Sequence, residues 1–367
     1  MFSNKIKKKK KLRIAMLASN VTRIPPFPPE KYLPSGWSGS TELVAHSVTE
    51  ELVKRGHDVT LFASGNSQTS AKLISVTDRS TFEKGDLKIH REFELMLISK
   101  AYSMAKEGHF DVIHSHYDIQ TAHFAPLVDT PTVSTLHCPI GFWYDKRILH
   151  HYKNTQWYVS ISNDQRRELP DLNYATTVYN GVPVDDIPFS GKKENFLTIV
   201  GRLVKEKGAD IAIRVALKAN IPLYIFGPVD DNSEYWEKEI KPFVDNKKVV
   251  YMGMRPRKEV FRYMSKAKAI LMPIRWAEPF GLVVAEAMAA GTPSIVFPLG
   301  SMQELVEDGK TGYVVKNEEE MLTRIYDLGK INPALCRTIA HERFSTEAMV
   351  TGYENTYYKI IQNNKKR

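Results

Sequence analysis

The sequence predicts an α/β protein in which helices cover both faces of two parallel sheets. Short apolar or β-branched runs alternate with stretches of helical periodicity along nearly the whole chain. The alternation falls into two consecutive series of similar size, separated by a turn-rich segment at residues 180–183. A length of 367 residues also favours two cores over one. We therefore expect two Rossmann-like domains that face each other.

The first series, assigned to residues 14–182, begins with an apolar run at 12–18 that is typical of a buried strand. A Pro-rich loop over 20–39 leads to a helix at 41–55, where apolar side chains recur with helical spacing and Gly56 provides the C-cap. The remaining strands of this series are predicted at residues 58–63, 111–114, 132–136, 157–161 and 174–179.

The second series, assigned to residues 183–345, has the same alternation. Its strands are predicted at residues 196–200, 223–226, 249–252, 269–272, 294–297 and 312–315. A last helix at 346–362 carries aromatic side chains on one face and must cover some surface. We expect that surface to belong to the first domain, so residues 346–367 form a return helix and a short basic tail.

The formal charge of +9 is concentrated at the two ends of the chain. Seven basic side chains and no acidic ones lie in the basic tail at residues 1–13, and three more lie at 365–367. Without those ten, 41 basic residues face 42 acidic ones. A basic groove is therefore not predicted, and nucleic acid is disfavoured as a partner. The lysine-rich start either attracts an anionic membrane or is a solvated tail.

Other bounds exclude several classes of protein. The two cysteines, Cys138 and Cys336, form neither a disulfide framework nor a metal-ligand cluster. No apolar run approaches the roughly 18 residues of a membrane span. The basic start has no apolar segment of the kind that secretory signals contain. We expect a cytoplasmic protein, either soluble or peripheral to the membrane.

Residues 278–293 carry the most informative pattern. Gly281 ends a loop and a helix begins near Leu282, so unpaired N–H groups there could bind phosphate. Glu286 is the one polar side chain in the helical stretch VVAEAMAA. A carboxylate there needs a hydrogen-bonding partner, either a sugar or ribose diol or a buried salt bridge. Glu278, just before the turn, favours a ligand site.

A second cluster, GRLVKEKG at residues 201–208, follows the predicted strand at 196–200. Arg202 and Lys207 could converge on a diphosphate, one as a fork and the other as a point charge. The competing interpretation is a solvated basic loop in which Lys207 pairs with the adjacent Glu206.

These motifs resemble the retaining GT-B glycosyltransferases of family 4, also called glycosyl transferases group 1. The resemblance covers nearly the whole chain and rests on the E-x7-E pair Glu278/Glu286, GRLxxxKG at 201–208, YNGV at 179–182, AEAMAAGTP at 285–293, GSTE at 39–42, RGHDVTLFA at 55–63 and DVIHSH at 111–116. It implies two facing Rossmann-like domains, a deep interdomain cleft and a C-terminal helix that crosses back to the first domain.

The resemblance also implies roles for single residues. Arg202 and Lys207 would bind the donor diphosphate and stabilise the leaving group, and Glu278 would hydrogen-bond the transferred sugar. Glu286 would bind the ribose. His137 matches a histidine that lies against the donor sugar.

Backbone groups complete the implied donor site. The resemblance places the diphosphate near Gly201 and near the pair Gly39–Ser40, where many members of the family have two glycines. Ser40 keeps its N–H but is more restricted in φ than glycine. The sugar and phosphate would be held by backbone N–H groups of Phe280, Gly281, Leu282 and Val283.

The implied reaction moves a hexose from a UDP- or GDP-sugar to an acceptor hydroxyl with retention of configuration. No D-x-D motif is present, so we expect neither a metal nor any other cofactor. The acceptor, a saccharide or a lipid-linked sugar, would bind the first domain, where aromatic residues in the loops 20–39 and 141–152 could stack on it. The alternatives are an epimerase or phosphorylase of the same architecture, or a nonenzymatic saccharide-binding protein. An NAD oxidoreductase is disfavoured because no G-x-G-x-x-G follows the first strand.

Overall fold

The computed structural model describes residues 10–26, 39–117, 119–141, 144–230 and 232–364. Most of the lysine-rich start, for which membrane contact and a solvated tail were both left open, falls in residues 1–9, which lie outside the described residues. Five of the aromatic residues predicted to stack on the acceptor also lie outside the described residues: Phe27, Tyr32, Trp37, Phe142 and Trp143.

The first domain contains a parallel sheet of seven strands in the order β3-β2-β1-β4-β5-β6-β7. The strands are β1 Arg13–Leu17, β2 Asp58–Phe62, β3 Lys72–Ile74, β4 Val112–Ser115, β5 Thr132–Leu136, β6 Trp157–Ser160 and β7 Tyr174–Thr177. The helices are α1 Ser40–Lys54, α2 Thr81–Lys84, α3 His90–Lys106 and α4 Lys146–His151.

The second domain contains a parallel sheet of six strands in the order β10-β9-β8-β11-β12-β13. Its strands are β8 Leu197–Val200, β9 Leu223–Phe226, β10 Val249–Gly253, β11 Ala269–Met272, β12 Ser294–Val296 and β13 Gly312–Val314. The helices that follow β8 are α5 Ala209–Ala219, α6 Arg257–Lys266, α7 Leu282–Ala289, α8 Met302–Leu305, α9 Glu318–Asp327, α10 Pro333–Phe344 and α11 Thr346–Asn364.

The apolar runs became strands because the central strands are covered on both faces. In β1, residues 14–17 are fully buried, and in β11 three of the four side chains are inaccessible to solvent. A strand buried on both sides needs a continuous apolar run rather than an alternating one. The predicted α/β class with two Rossmann-like domains is therefore confirmed.

In each sheet, successive strands are first added toward one edge and then toward the other, so the strand order reverses at one point. In the first sheet this point lies between β1 and β4, and in the second it lies between β8 and β11. At such a point the loops after the two strands diverge and leave a crevice at the carboxyl edge of the sheet. The predicted site loops at 201–208 and 273–281 follow β8 and β11, so both border the crevice of the second domain.

The chain passes between the two domains twice, and the two crossings pair with each other. The Val182 N–H donates to the Phe344 carbonyl at 2.8 Å, and the Thr346 N–H donates to the Val182 carbonyl at 3.2 Å. A Cβ on Gly181 would lie 2.8 Å from the Ser345 carbonyl oxygen, so a larger residue could not occupy this position without displacing the second crossing. The pairing joins the two segments that connect the domains.

The return helix α11 packs on the first domain, as predicted. Its Tyr353 and Tyr357 belong to the same buried cluster as the apolar face of α1. The Tyr357 hydroxyl bonds to His114 Nδ1 at 2.7 Å, while His114 Nε2 bonds to Thr135 at 2.9 Å. Burial lowers the pKa of His114 to about 3, so the ring is neutral and both of its nitrogens are used.

None of the helices in the described part of the chain combines the length and the apolar composition that a membrane span requires.

Replacing Tyr357 by phenylalanine should destabilise the fold, because His114 Nδ1 would become a buried acceptor without a donor. We expect Tyr357→Phe to lower the free energy of unfolding by about 1–3 kcal/mol. Tyr358→Phe is the matched control, since that hydroxyl donates to the Lys10 carbonyl in an exposed position. Its effect should stay within about 0.5 kcal/mol. Urea denaturation of both variants makes the comparison, and equal losses would contradict the role assigned to Tyr357.

Candidate active site

An ion pair connects the two loops that border the crevice of the second domain. Lys207 ends a short 3-10 turn after β8, and its Nζ lies 2.5 Å from Glu278 Oε2 in the loop after β11. Both side chains are largely buried, with 19% and 11% of their surfaces exposed. The sequence left Glu206 as the alternative partner of Lys207, but in the structure Glu206 is exposed and the pair forms with Glu278.

Trp276 completes this cluster and was not predicted from the sequence. Its indole Nε1 donates to Glu278 Oε2 at 2.9 Å, and Lys207 Nζ lies 4.9 Å from the centre of a Trp276 ring. The ring can stabilise the ammonium group by a cation–π contact. Both donors use the same carboxylate oxygen, and no described residue donates to Glu278 Oε1. That oxygen is free to accept a hydrogen bond from a ligand.

The start of α7 is fixed by Gly281. This residue has φ 91°, a left-handed backbone conformation that favours glycine. The helix begins at the next residue, Leu282, and the first N–H groups of a helix have no acceptor within it. Phe280, just before the turn, is buried, whereas Leu282 and Val283 are half-buried. These backbone donors follow Glu278 of the Lys207–Glu278 pair by two to five residues.

Glu286, near the middle of α7, is buried and forms an ion pair with Arg257 Nη2. Burial raises the pKa of Glu286, and the attraction of Arg257 opposes that rise. Of the two partners that the sequence left open, the structure shows the salt bridge. Arg257 bonds to Oε1, and no described residue donates to Oε2. Arg257 itself was not predicted as a site residue, because it lies 29 positions away at the start of α6.

Arg202 is the second cation of the loop after β8. It is half-buried, and among the described residues none forms an ion pair with its guanidinium group. Gly201, which precedes it, directly follows the last residue of β8 at the carboxyl edge of the sheet. Within the described part of the chain, Arg202 therefore has no ion-pair partner, whereas Lys207 is paired with Glu278. Neither Arg202 nor His137 is hydrogen-bonded to Glu278 or Glu286.

The first domain carries the other residues that were predicted to contact the sugar donor. Gly39 is the N-cap of α1 with φ 66°, and Ser40 is the first residue of that helix. His137 directly follows β5 and is buried. The sites on the two domains thus lie on loops at the carboxyl edges of their respective sheets.

His137 is held by a second histidine that the motif analysis did not single out. His116 Nδ1 lies 2.8 Å from His137 Nε2, and the two rings stack with centres 5.1 Å apart. Burial lowers the pKa of His137 to about 4 and that of His116 well below its ordinary value, so both are neutral at neutral pH. The signal that could have found His116 is its position two residues after His114 in DVIHSH, at the end of β4.

The backbone around His137 is also fixed. The Tyr144 hydroxyl accepts hydrogen bonds from the N–H groups of His137 and Cys138, at 3.2 and 3.0 Å. A neutral imidazole held on both its ring and its backbone can be a hydrogen-bonding or contact group with a set orientation.

Removing the cation beside Glu286 should destabilise the protein in a pH-dependent way. Arg257 is 30% exposed, so we expect Arg257→Met to lower the free energy of unfolding by about 2–3 kcal/mol at pH 7, less than for a fully buried pair. The loss of Arg257 raises the pKa of Glu286 further in the folded state only. The destabilisation should therefore be full above that pKa and disappear as the pH falls below the ordinary pKa of glutamate, where both states are protonated.

The control for this prediction is Arg255→Met, which removes an exposed cation two residues away. Its effect on unfolding should stay within about 0.5 kcal/mol at every pH. Denaturation curves between pH 4 and pH 8 measure both variants. A loss for Arg257→Met that does not change with pH would show that Glu286 does not depend on this partner.

Comparison with known proteins identifies the family and the fold. The chain matches the family model for glycosyl transferases group 1 over residues 185–339 and that for glycosyltransferase family 4 over residues 41–186, which together span more than half of its length. An N-acetyl-alpha-D-glucosaminyl L-malate synthase of Bacillus anthracis is 22% identical and matches over 89% of this chain and 96% of its own. The structure of Anabaena HepE has a TM-score of 0.70 at 18% identity and covers 95% of this chain and 100% of its own. The chain belongs to the family 4 glycosyltransferases, and its two domains have the GT-B fold.

Proposed function

We propose that the protein transfers a sugar from a UDP-sugar to an acceptor hydroxyl, with retention of configuration and without a metal ion. The observation that carries this proposal is the Lys207–Glu278 pair just before the start of α7, with Arg202 in the same loop after β8 and without an ion-pair partner among the described residues. Cations and helix N–H groups assembled at a strand-end crevice suit a nucleoside diphosphate.

In this proposal the diphosphate leaves with stabilisation from three sources. Arg202 can bind phosphate oxygens as a fork, and Lys207 has donors left beyond the one used for Glu278. The free N–H groups at the start of α7 add positive charge density at the same place. Such fixed donors lower the barrier because they need no rearrangement as negative charge develops on the leaving oxygen.

The two carboxylates would bind the two sugars of the donor. Glu278 Oε1 receives no hydrogen bond from the described residues and can accept one from a hydroxyl of the transferred sugar. Glu286 Oε2 can accept one from the ribose while Arg257 holds Oε1. The structure of the Anabaena protein in complex with UDP, and another with UDP-glucose, support uridine as the base of the donor. A GDP-sugar remains the competing donor.

We further propose that the acceptor hydroxyl attacks the face from which the diphosphate leaves. The acceptor oxygen forms a bond to the anomeric carbon, the bond from that carbon to the diphosphate breaks, and the hydroxyl proton passes to the departing phosphate oxygen. Glu278 is tied by Lys207 and Trp276, which suits a group that positions the sugar more than one that attacks it. The acceptor, a saccharide or a lipid-linked sugar, would approach from the first domain, where His137 lies.

Loss of Lys207 should impair turnover far more than loss of its neighbour. Lys207→Ala removes a donor to the leaving group and leaves Glu278 without its cation, so we expect kcat to fall by about 10²–10³. Lys205→Ala removes an exposed cation from the same turn and should retain nearly full activity. The assay measures release of nucleoside diphosphate from UDP-glucose, UDP-N-acetylglucosamine and GDP-mannose. Equal activity of the two variants would remove Lys207 from the mechanism.

Retention and metal independence can be tested in one assay. Product formed from an α-linked donor should itself be α-linked when examined by proton NMR, and dialysis against EDTA should leave the rate unchanged. A β-linked product would contradict attack from the leaving-group face. Loss of activity on EDTA treatment, with recovery on addition of Mg²⁺ or Mn²⁺, would show that the cations of the chain do not suffice.

A further inference from the structure

A carboxylate of the second domain holds a backbone segment of the first. Glu304 lies on α8, and its Oε1 accepts from the Asp164 N–H at 2.7 Å. Its Oε2 accepts from the Asn163 N–H at 2.8 Å and from the Tyr179 hydroxyl at 2.9 Å. Both oxygens are thus used, and two consecutive N–H groups after β6 are bonded to a residue 140 positions away. We call this set of contacts the clasp.

The segment held by the clasp leads directly to the His137 loop. Gln165, next to Asp164, is buried and uses its whole amide: its nitrogen donates to the Leu136 and Cys138 carbonyls at 3.0 and 2.9 Å. Its oxygen accepts from the Ile161 N–H at 2.9 Å. The two carbonyls flank His137, so the turn that Glu304 binds also fixes the backbone on both sides of that histidine.

On the other side, the clasp is attached to the Glu278 loop. Ser301, in the turn before α8, donates from its N–H to the Glu278 carbonyl at 2.9 Å and from its hydroxyl to the Phe280 carbonyl at 2.5 Å. The preceding Gly300 lies so close that a Cβ would approach Glu278 backbone atoms to 2.3–2.4 Å. The same short segment therefore braces the Glu278 loop and carries Glu304.

We propose that Glu304 is a positioning residue, which joins the donor loop of the second domain to the His137 loop of the first and so sets His137 opposite Glu278. The proposal rests on the proposed function, in which the donor sugar lies between these two residues. Each of the two consecutive N–H groups donates to its own oxygen of Glu304, so the observed contacts use both acceptor oxygens of a carboxylate. A carboxamide would turn its NH2 group toward one of them.

The test compares Glu304→Gln, His137→Ala and the double variant in the full-length protein. The donor among UDP-glucose, UDP-N-acetylglucosamine and GDP-mannose that gives the highest turnover serves as the probe. Loss of one charge-assisted contact predicts that Glu304→Gln lowers kcat about tenfold to a hundredfold. Affinity for UDP, measured by calorimetry, should stay within about twofold, because the second domain supplies those contacts. Gln303→Ala, an exposed change on the same helix, is the control and should match the wild type.

The double variant separates positioning from general damage to the fold. If Glu304 acts through His137, then Glu304→Gln should change kcat by less than about threefold when His137 is already alanine. The clasp proposal would be overturned if the fold-losses in kcat of the two single variants multiplied in the double variant. A wild-type kcat for Glu304→Gln would also overturn it. Full activity of His137→Ala alone would instead contradict the role of His137 in the proposed function, so the two failures are distinguishable.

Discussion

The burial of two carboxylates beside an apolar helix is the constraint on which the site depends. Helix α7 is buried along most of its length, and Glu278 and Glu286 lie before it and within it. An ionised carboxylate in such surroundings costs several kcal/mol unless a partner compensates it. The partners come from separate elements, Lys207 from the turn after β8 and Arg257 from α6. Charge balance thus draws three segments together at the strand-end crevice, where the proposed function places the diphosphate.

In the first domain, three buried histidines lie at or just after the carboxyl ends of β4 and β5. His116 and His137 share a hydrogen bond between rings, and His114 is held between β5 and the return helix. Because burial keeps all three pKa values low, these rings orient without adding charge. Arg202 and Lys207 lie on the second domain, so in the proposed function that domain binds the diphosphate while the neutral His137 ring lies against the sugar.

Local patterns in the sequence predicted the elements, and the pairings between distant segments could not be predicted. Buried strands such as β5 and β11 were placed to the residue because each is a short apolar or β-branched run. The edge strand β3 was missed, because it has three residues that are only half-buried or exposed. Glu278 and Glu286 stood out by their surroundings. Lys207 also stood out, but as a phosphate ligand and not as the partner of Glu278. Arg257 did not, since an arginine at the start of α6 has no local feature that distinguishes it from a surface residue.

The central claim is that a nucleotide sugar binds between the domains, against the start of α7 and the loop after β8. Hydrogen–deuterium exchange with and without UDP-glucose tests it most directly. We expect UDP-glucose to slow amide exchange at residues 201–208 and 280–284 of the second domain and at residues 136–138 of the first. Slower exchange confined to one domain, or unchanged exchange at the start of α7, would contradict it.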